Sequence, residues 1–152
     1  MKLGLKELKN VNVYYQNQEQ PFAKLYGVVV NKDTKKIIAY KIKNLSLIPI
    51  SGYFIADDIF WVDKRKMVLK NNVNPKQFAY EKQNLNNIEV VDVHCMVCKQ
   101  NYRIKDVCFD FEIGEMTEII MSKTPISSKI KVDAKNVLLE KFNKNNWRNK
   151  NV

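Results

Sequence analysis

One histidine, three cysteines, four glycines and four prolines in 152 residues leave this chain short of the parts most catalytic sites are built from. A hydrolytic nucleophile needs a base within hydrogen-bond reach. Here the lone His94 has no Gly-rich elbow, and no phosphate loop surrounds any Ser or Lys. Paired acids such as Asp57 and Asp58, or Asp110 and Glu112, read as turn residues and the solvent face of a strand. The expectation is a protein that is not an enzyme and takes no cofactor.

Long apolar runs are missing too. None approaches the roughly 18 to 20 residues that span a bilayer, so no integral membrane segment is expected. The charged start, Met1-Lys2-Leu3-Gly4-Leu5-Lys6-Glu7-Leu8-Lys9, lacks a secretory h-region, and Gly4 is not placed for an N-terminal lipid anchor. Cys95, Cys98 and Cys108 are odd in number and make a poor disulfide framework. They suit a reducing compartment, and the expected location is cytoplasmic.

What is present is enough apolar content, 45%, to build a core. Lys, Asn and Ile are abundant in the way AT-rich coding produces, so single Lys and Asn residues carry little weight. The net charge of +10 invites an anionic partner, nucleic acid or a membrane surface. Its distribution is uneven: residues 1–84 carry 15 basic and 7 acidic side chains, a net of +8, and residues 85–152 carry 11 and 9, a net of +2. Asp106, Asp110, Glu112, Glu115 and Glu118 form an acidic stretch with no basic residue between them.

Residues 25–42 read as a β-hairpin. Gly27-Val28-Val29-Val30 is β-branched, Asn31-Lys32-Asp33-Thr34-Lys35-Lys36 is a polar turn, and Ile38, Tyr40 and Ile42 alternate with Lys41 and Lys43. Val11-Asn12-Val13-Tyr14-Tyr15 precedes it as another apolar run. Ile59-Phe60-Trp61-Val62 and Met67-Val68-Leu69 flank a second turn at Asp63-Lys64-Arg65-Lys66. The Asn-rich 71–87 segment reads as a linker. Beyond it, Val107, Phe109, Phe111 and Ile113 point one way and Asp106, Cys108, Asp110 and Glu112 the other, with Gly114 as the turn and 116–121 as the return strand. A constant offset of 79 residues sets 27–31 on 106–110, Ile37 on Met116, Tyr40 on Ile119 and Ile42 on Met121, the pattern of an internal duplication. The tail from 134 to 147 has near-helical spacing and predicts a short helix, with Asp133 as N-cap.

Ile104-Lys105-Asp106-Val107-Cys108-Phe109-Asp110-Phe111-Glu112-Ile113-Gly114-Glu115-Met116 resembles the hairpin motif of the PRC-barrel family. Leu25-Tyr26-Gly27-Val28-Val29-Val30-Asn31 and Lys35-Lys36-Ile37-Ile38-Ala39-Tyr40 resemble it again, and Phe54-Ile55-Ala56-Asp57-Asp58-Ile59 resembles the family's step into its last strands. Lys35 stands in the first copy where Gly114 stands in the second. The resemblance covers roughly residues 5–70 and 88–142. It implies a mainly β fold of two tandem small β-barrels: a first module at 1–70, a linker at 71–87, and a second module with a helical tail at 88–152. Relatives in the cytoplasmic subunit of photosynthetic reaction centres and in a ribosome-maturation factor use the module for protein contacts. The family shares no catalytic residues.

Two motifs hold chemical potential. In His94-Cys95-Met96-Val97-Cys98, the thiols of Cys95 and Cys98 have the spacing of zinc or redox pairs. Cys108 is the only other cysteine, however, and on a strand Cys95 and Cys98 face opposite ways. Incidental cysteines without metal are therefore expected, with a shared metal or a redox pair as alternatives. Lys64, Arg65 and Lys66, after Phe60 and Trp61, form either a solvated turn beside core aromatics or a stacking platform for single-stranded nucleic acid. The apolar run favours core aromatics. The functional expectation is a non-catalytic adaptor or scaffold for a protein partner. The alternative is an RNA- or ribosome-associated protein using its basic surface.

Overall fold

The continuous apolar stretch at Gly27-Val28-Val29-Val30 requires a strand covered on both faces, and the computed structural model, which describes residues 2–77, 84, 86–93, 96–98 and 102–141, places it there. Strand β3 (Ala23–Asn31) follows β1 (Lys2–Gly4), the one-turn helix α1 (Leu5–Leu8) and β2 (Asn12–Tyr15). It pairs antiparallel with β4 (Ile37–Asn44), and β4 with β5 (Ser51–Ile55). A 3-10 turn at Ala56–Asp58 leads to β6 (Ile59–Val62) and β7 (Lys66–Leu69). β7 returns parallel to β2, so the order runs β5-β4-β3-β2-β7-β6, with β8 (Asn87–Val90) added to the far end of β3.

The remaining strands are β9 (Met96–Cys98), β10 (Arg103–Asp110), β11 (Glu115–Ser122), β12 (Ile130–Asp133) and β13 (Leu139–Lys141). They form a four-stranded sheet, β1-β10-β11-β12, and a two-stranded one, β13-β9. The fold is mainly β, as expected, but its sheets are open and not closed barrels. One cause is visible at β5. Its outer edge is taken by the backbone of Lys76, through Tyr53 N–H to Lys76 O (2.8 Å) and Lys76 N–H to Tyr53 O (2.9 Å), so β6 does not close onto it.

The expected C-terminal helix is not found in the described part of the tail. Ala134–Asn136 is a single 3-10 turn and β13 follows at once, paired with β9. Asp133 does cap that turn, its carboxylate accepting from Lys135 N–H at 2.9 Å. Residues 142–147 of the expected helix lie outside the described residues. Val137 and Leu139 are buried with Leu138 exposed, a strand's alternation that at this length also fits a helix face. The inward set at 107–113 is also shorter than expected. Val107 and Phe109 are buried, the strand ends at Asp110, and the turn carries Ile113 into solvent.

The 79-residue offset maps onto the geometry in detail. The β3–β4 ladder has register shifts between Leu25 and Gly27 and between Val29 and Val30. The β10–β11 ladder has them between Ile104 and Asp106 and between Cys108 and Phe109, the same positions. Both turns need a residue with positive φ: Gly114 at 70° and Lys35 at 64°. Asn31 and Asp110 open these turns alike, each side-chain oxygen accepting from the backbone N–H two residues on.

The two hairpins also meet through equivalent residues. Lys36 bridges Glu115, while Ile37 N–H donates to Gly114 O (2.9 Å) and Met116 N–H to Lys35 O (2.8 Å). Exchanging the halves turns one bond into the other, the signature of a local two-fold relation. The outer strands follow suit. β8, which precedes the second hairpin, pairs with β3, and β1, which precedes the first, pairs with β10. One cluster of buried side chains runs through both halves, from Leu3, Leu8 and Val13 to Phe54, Met67, Phe109 and Ile119.

The second face of β3 is covered by a smaller cluster of Val29, Ala39 and Tyr53. It is roofed by the half-buried Lys41–Glu89 ion pair, to which the Tyr53 hydroxyl adds a hydrogen bond at 3.1 Å.

Tyr40 is buried on β4 and stacks on Phe111, with ring centroids 6.2 Å apart. Burial pushes its phenol pKa well above the ordinary value of 10.0. The unfolded chain ionises a tyrosine near that value while the folded chain keeps this proton, so stability is lost as pH rises beyond about 10, at up to about 1.4 kcal/mol per pH unit. Tyr40→Phe removes that term. Urea unfolding from about pH 8 to about pH 12 should show the variant's alkaline loss displaced upward, with stability at neutral pH changed by less than about 1 kcal/mol.

Candidate interaction surface

Strict alternation along β6 would bury one of its two aromatics. Instead, Phe60 and Trp61 are adjacent and both exposed, at 58% and 47%. The cause is a bulge: Ile59 pairs with Leu69 and Trp61 with Val68, so Phe60 is extra in the ladder. The expectation of core aromatics is therefore overturned. Bulges leave no periodicity in a four-residue apolar run, so the hydrophobic pattern could not have announced this one.

The turn that follows is fixed by Asp63. One carboxylate oxygen accepts from Arg65 N–H (2.7 Å) and Lys66 N–H (2.9 Å), and the other from the Trp61 indole N–H (2.9 Å). The indole bond, then the Arg65 backbone bond, holds this carboxyl below its ordinary pKa of 3.8. Its charge is thus spent on shaping the turn and orienting the indole, while Lys64, Arg65 and Lys66 stay exposed beside it. Among the described residues no further strand pairs with the outer edge of β6. Two oriented aromatic faces, an open strand edge and three cations make a surface suited to binding.

Cys98 is buried on β9 and Cys108 half-buried on β10, where burial first, then Asp106 and Glu118, raise its thiol pKa. His94 and Cys95 lie outside the described residues. Among the described residues no three His, Cys, Asp or Glu side chains are grouped to hold a metal. Asp110 serves its turn, as expected. A shallow groove of 420 Å³ beside β11 and β12 is lined by both charge signs. Glu118 lies 3.6 Å from each of Lys2 and Lys131, so these three charges are matched within the groove. No helix among the described residues is long and apolar enough to cross a membrane.

These features define a mainly β protein with an aromatic and basic edge. The chain matches no protein-family model and no curated protein.

Proposed function

We propose that the chain is a non-catalytic cytoplasmic adaptor. Its two bent, PRC-barrel-like units at 1–70 and 88–152, joined through 71–87, carry a protein partner on the β6–β7 hairpin. The supporting observation is the exposed Phe60–Trp61 pair on an open strand edge. Tryptophan and arginine are the side chains that most often dominate binding energy, and an open edge accepts a partner strand. Lys64, Arg65 and Lys66 favour an acidic partner segment.

The same cations support a second reading, single-stranded RNA stacked on Phe60 and Trp61. A pull-down from native lysate at moderate salt separates the two. The expected result is a specific, RNase-resistant partner whose retention falls at least about 10-fold with Phe60→Ala/Trp61→Ala. RNase-sensitive capture, together with oligouridine binding that weakens steeply with salt and is lost on Lys64→Ala/Arg65→Ala/Lys66→Ala, assigns the surface to RNA. Wild-type retention that the aromatic substitutions leave unchanged overturns both.

A further inference from the structure

We propose that the 45–50 loop between β4 and β5 is a membrane-surface anchor that inserts its aliphatic tip into an anionic lipid bilayer. Leu45, Leu47, Ile48 and Ile50 are all exposed, Leu47 completely and Ile48 at 83%. Four aliphatic side chains within six residues, uncovered by their own fold, are an interaction feature and not ordinary surface scatter.

The loop is built rather than loose. Asn44 N–H donates to Ile50 O (3.1 Å), and Ile50 N–H returns to the Asn44 side-chain oxygen (2.9 Å). The Ser46 hydroxyl lies within hydrogen-bond distance of that oxygen (2.9 Å) and of Ile48 O (2.7 Å). Pro49 has no N–H to satisfy. Several of the loop's polar groups thus bond one another, which lowers the cost of taking the tip out of water.

The surroundings select the occupant. At the base of the loop Lys24 and Lys43 are direct cross-strand partners. Like charges so placed repel, and an anionic surface relieves the repulsion. Lys43 also sits 3.6 Å over the Tyr26 ring. An aliphatic tip above paired lysines is the pattern of a protein that lies on an anionic membrane.

The other half carries a smaller version. Ile126 is the residue equivalent to Leu47 under the 79-residue offset and is 96% exposed. Its loop is braced by the Ser122 hydroxyl to Thr124 O (2.9 Å) and Ser127 N–H to the Thr124 hydroxyl (3.1 Å), and it exposes Lys123 and Lys129.

The inference is independent of the β6–β7 hairpin, and the experiment keeps the two apart. Co-sedimentation of the full chain is measured with vesicles of equimolar phosphatidylcholine and phosphatidylglycerol, and with phosphatidylcholine alone. Binding is expected with the anionic vesicles, at least about 10-fold weaker with the neutral ones. Leu47→Asp/Ile48→Asp alters only exposed side chains and should reduce anionic-vesicle binding about 100-fold. Phe60→Ala/Trp61→Ala should leave it unchanged. Absence of wild-type binding overturns the proposal. So does binding that survives Leu47→Asp/Ile48→Asp, which would place adsorption elsewhere, or a self-association in sedimentation velocity that this variant abolishes, which would make the occupant a second copy.

Discussion

Phe109→Ala is expected to lower the unfolding free energy by about 3–5 kcal/mol, the largest effect of any substitution argued for this chain. The ring is fully buried near the end of β10, with Leu3 of β1 opposite on one side and Met116 of β11 on the other. It stands 6.2 Å from the Phe111 ring, which stands 6.2 Å from Tyr40 in the first half. Truncation removes aromatic area and leaves a cavity that two hydrogen-bonded neighbours cannot collapse into. The damage should also be felt at a distance, because one buried cluster runs through both halves. Urea unfolding followed by Trp61 fluorescence, in a Trp147→Phe background, reports from the first half on a lesion in the second. The Trp61 midpoint should fall together with the circular-dichroism midpoint. A Trp61 transition left unmoved by Phe109→Ala would mean that the halves unfold separately.

How much of this was legible in the residues depended on whether pattern or pairing decided the outcome. The hairpins at 25–42 and 59–69 followed from β-branched runs around polar turns, and the 79-residue offset from the alternation in each half. Its geometric meaning was not legible. Lys35 stands where the second turn has Gly114, yet it takes the same positive φ. It is buried there, its ammonium donating to Lys32 O at 2.6 Å, which helps to offset the strain that glycine avoids. The pairings of β1 with β10 and of β8 with β3 join residues about a hundred and about sixty positions apart, and local periodicity carries no trace of such partners. The open sheets have the same origin, since Lys76 occupies the β5 edge from a segment that reads as a linker. The exposed loop was visible as Leu45-Ser46-Leu47-Ile48-Pro49-Ile50, but only the Asn44 and Ser46 hydrogen bonds turn its aliphatic residues outward as a built tip.

The two halves solve one steric problem from opposite sides. Where the crossing segment passes the first bulge of each hairpin, the backbones approach too closely for two ordinary residues. In the first half the strand yields: Gly27 stands there, and a Cβ on it would lie 2.7 Å from Val91 Cγ1, 2.9 Å from Val90 O and 3.2 Å from Val91 Cα. In the second half the equivalent residue is Asp106, and the crossing segment yields with Gly4, whose Cβ would meet the Asp106 carboxylate at 2.6 Å. The obstacles differ in kind. At Gly27 the obstacle includes backbone, held by the β3–β8 ladder from Val28–Val90 to Asn31–Asn87. At Gly4 it is the far end of a side chain that can swing, at the cost of its bonds from Lys6 N–H (3.3 Å) and Val107 N–H (2.9 Å). Gly27→Ala should therefore destabilise by about 2–3 kcal/mol, and Gly4→Ala by about 1 kcal/mol or less. Amide exchange locates the difference: Gly27→Ala should lose protection at Ile88 and Val90, where β8 is levered off β3. Equal costs for the two substitutions, or β8 protection unchanged in Gly27→Ala, would show that the crossing segment gives way as readily as a carboxylate, and that β8 is not held where its ladder places it.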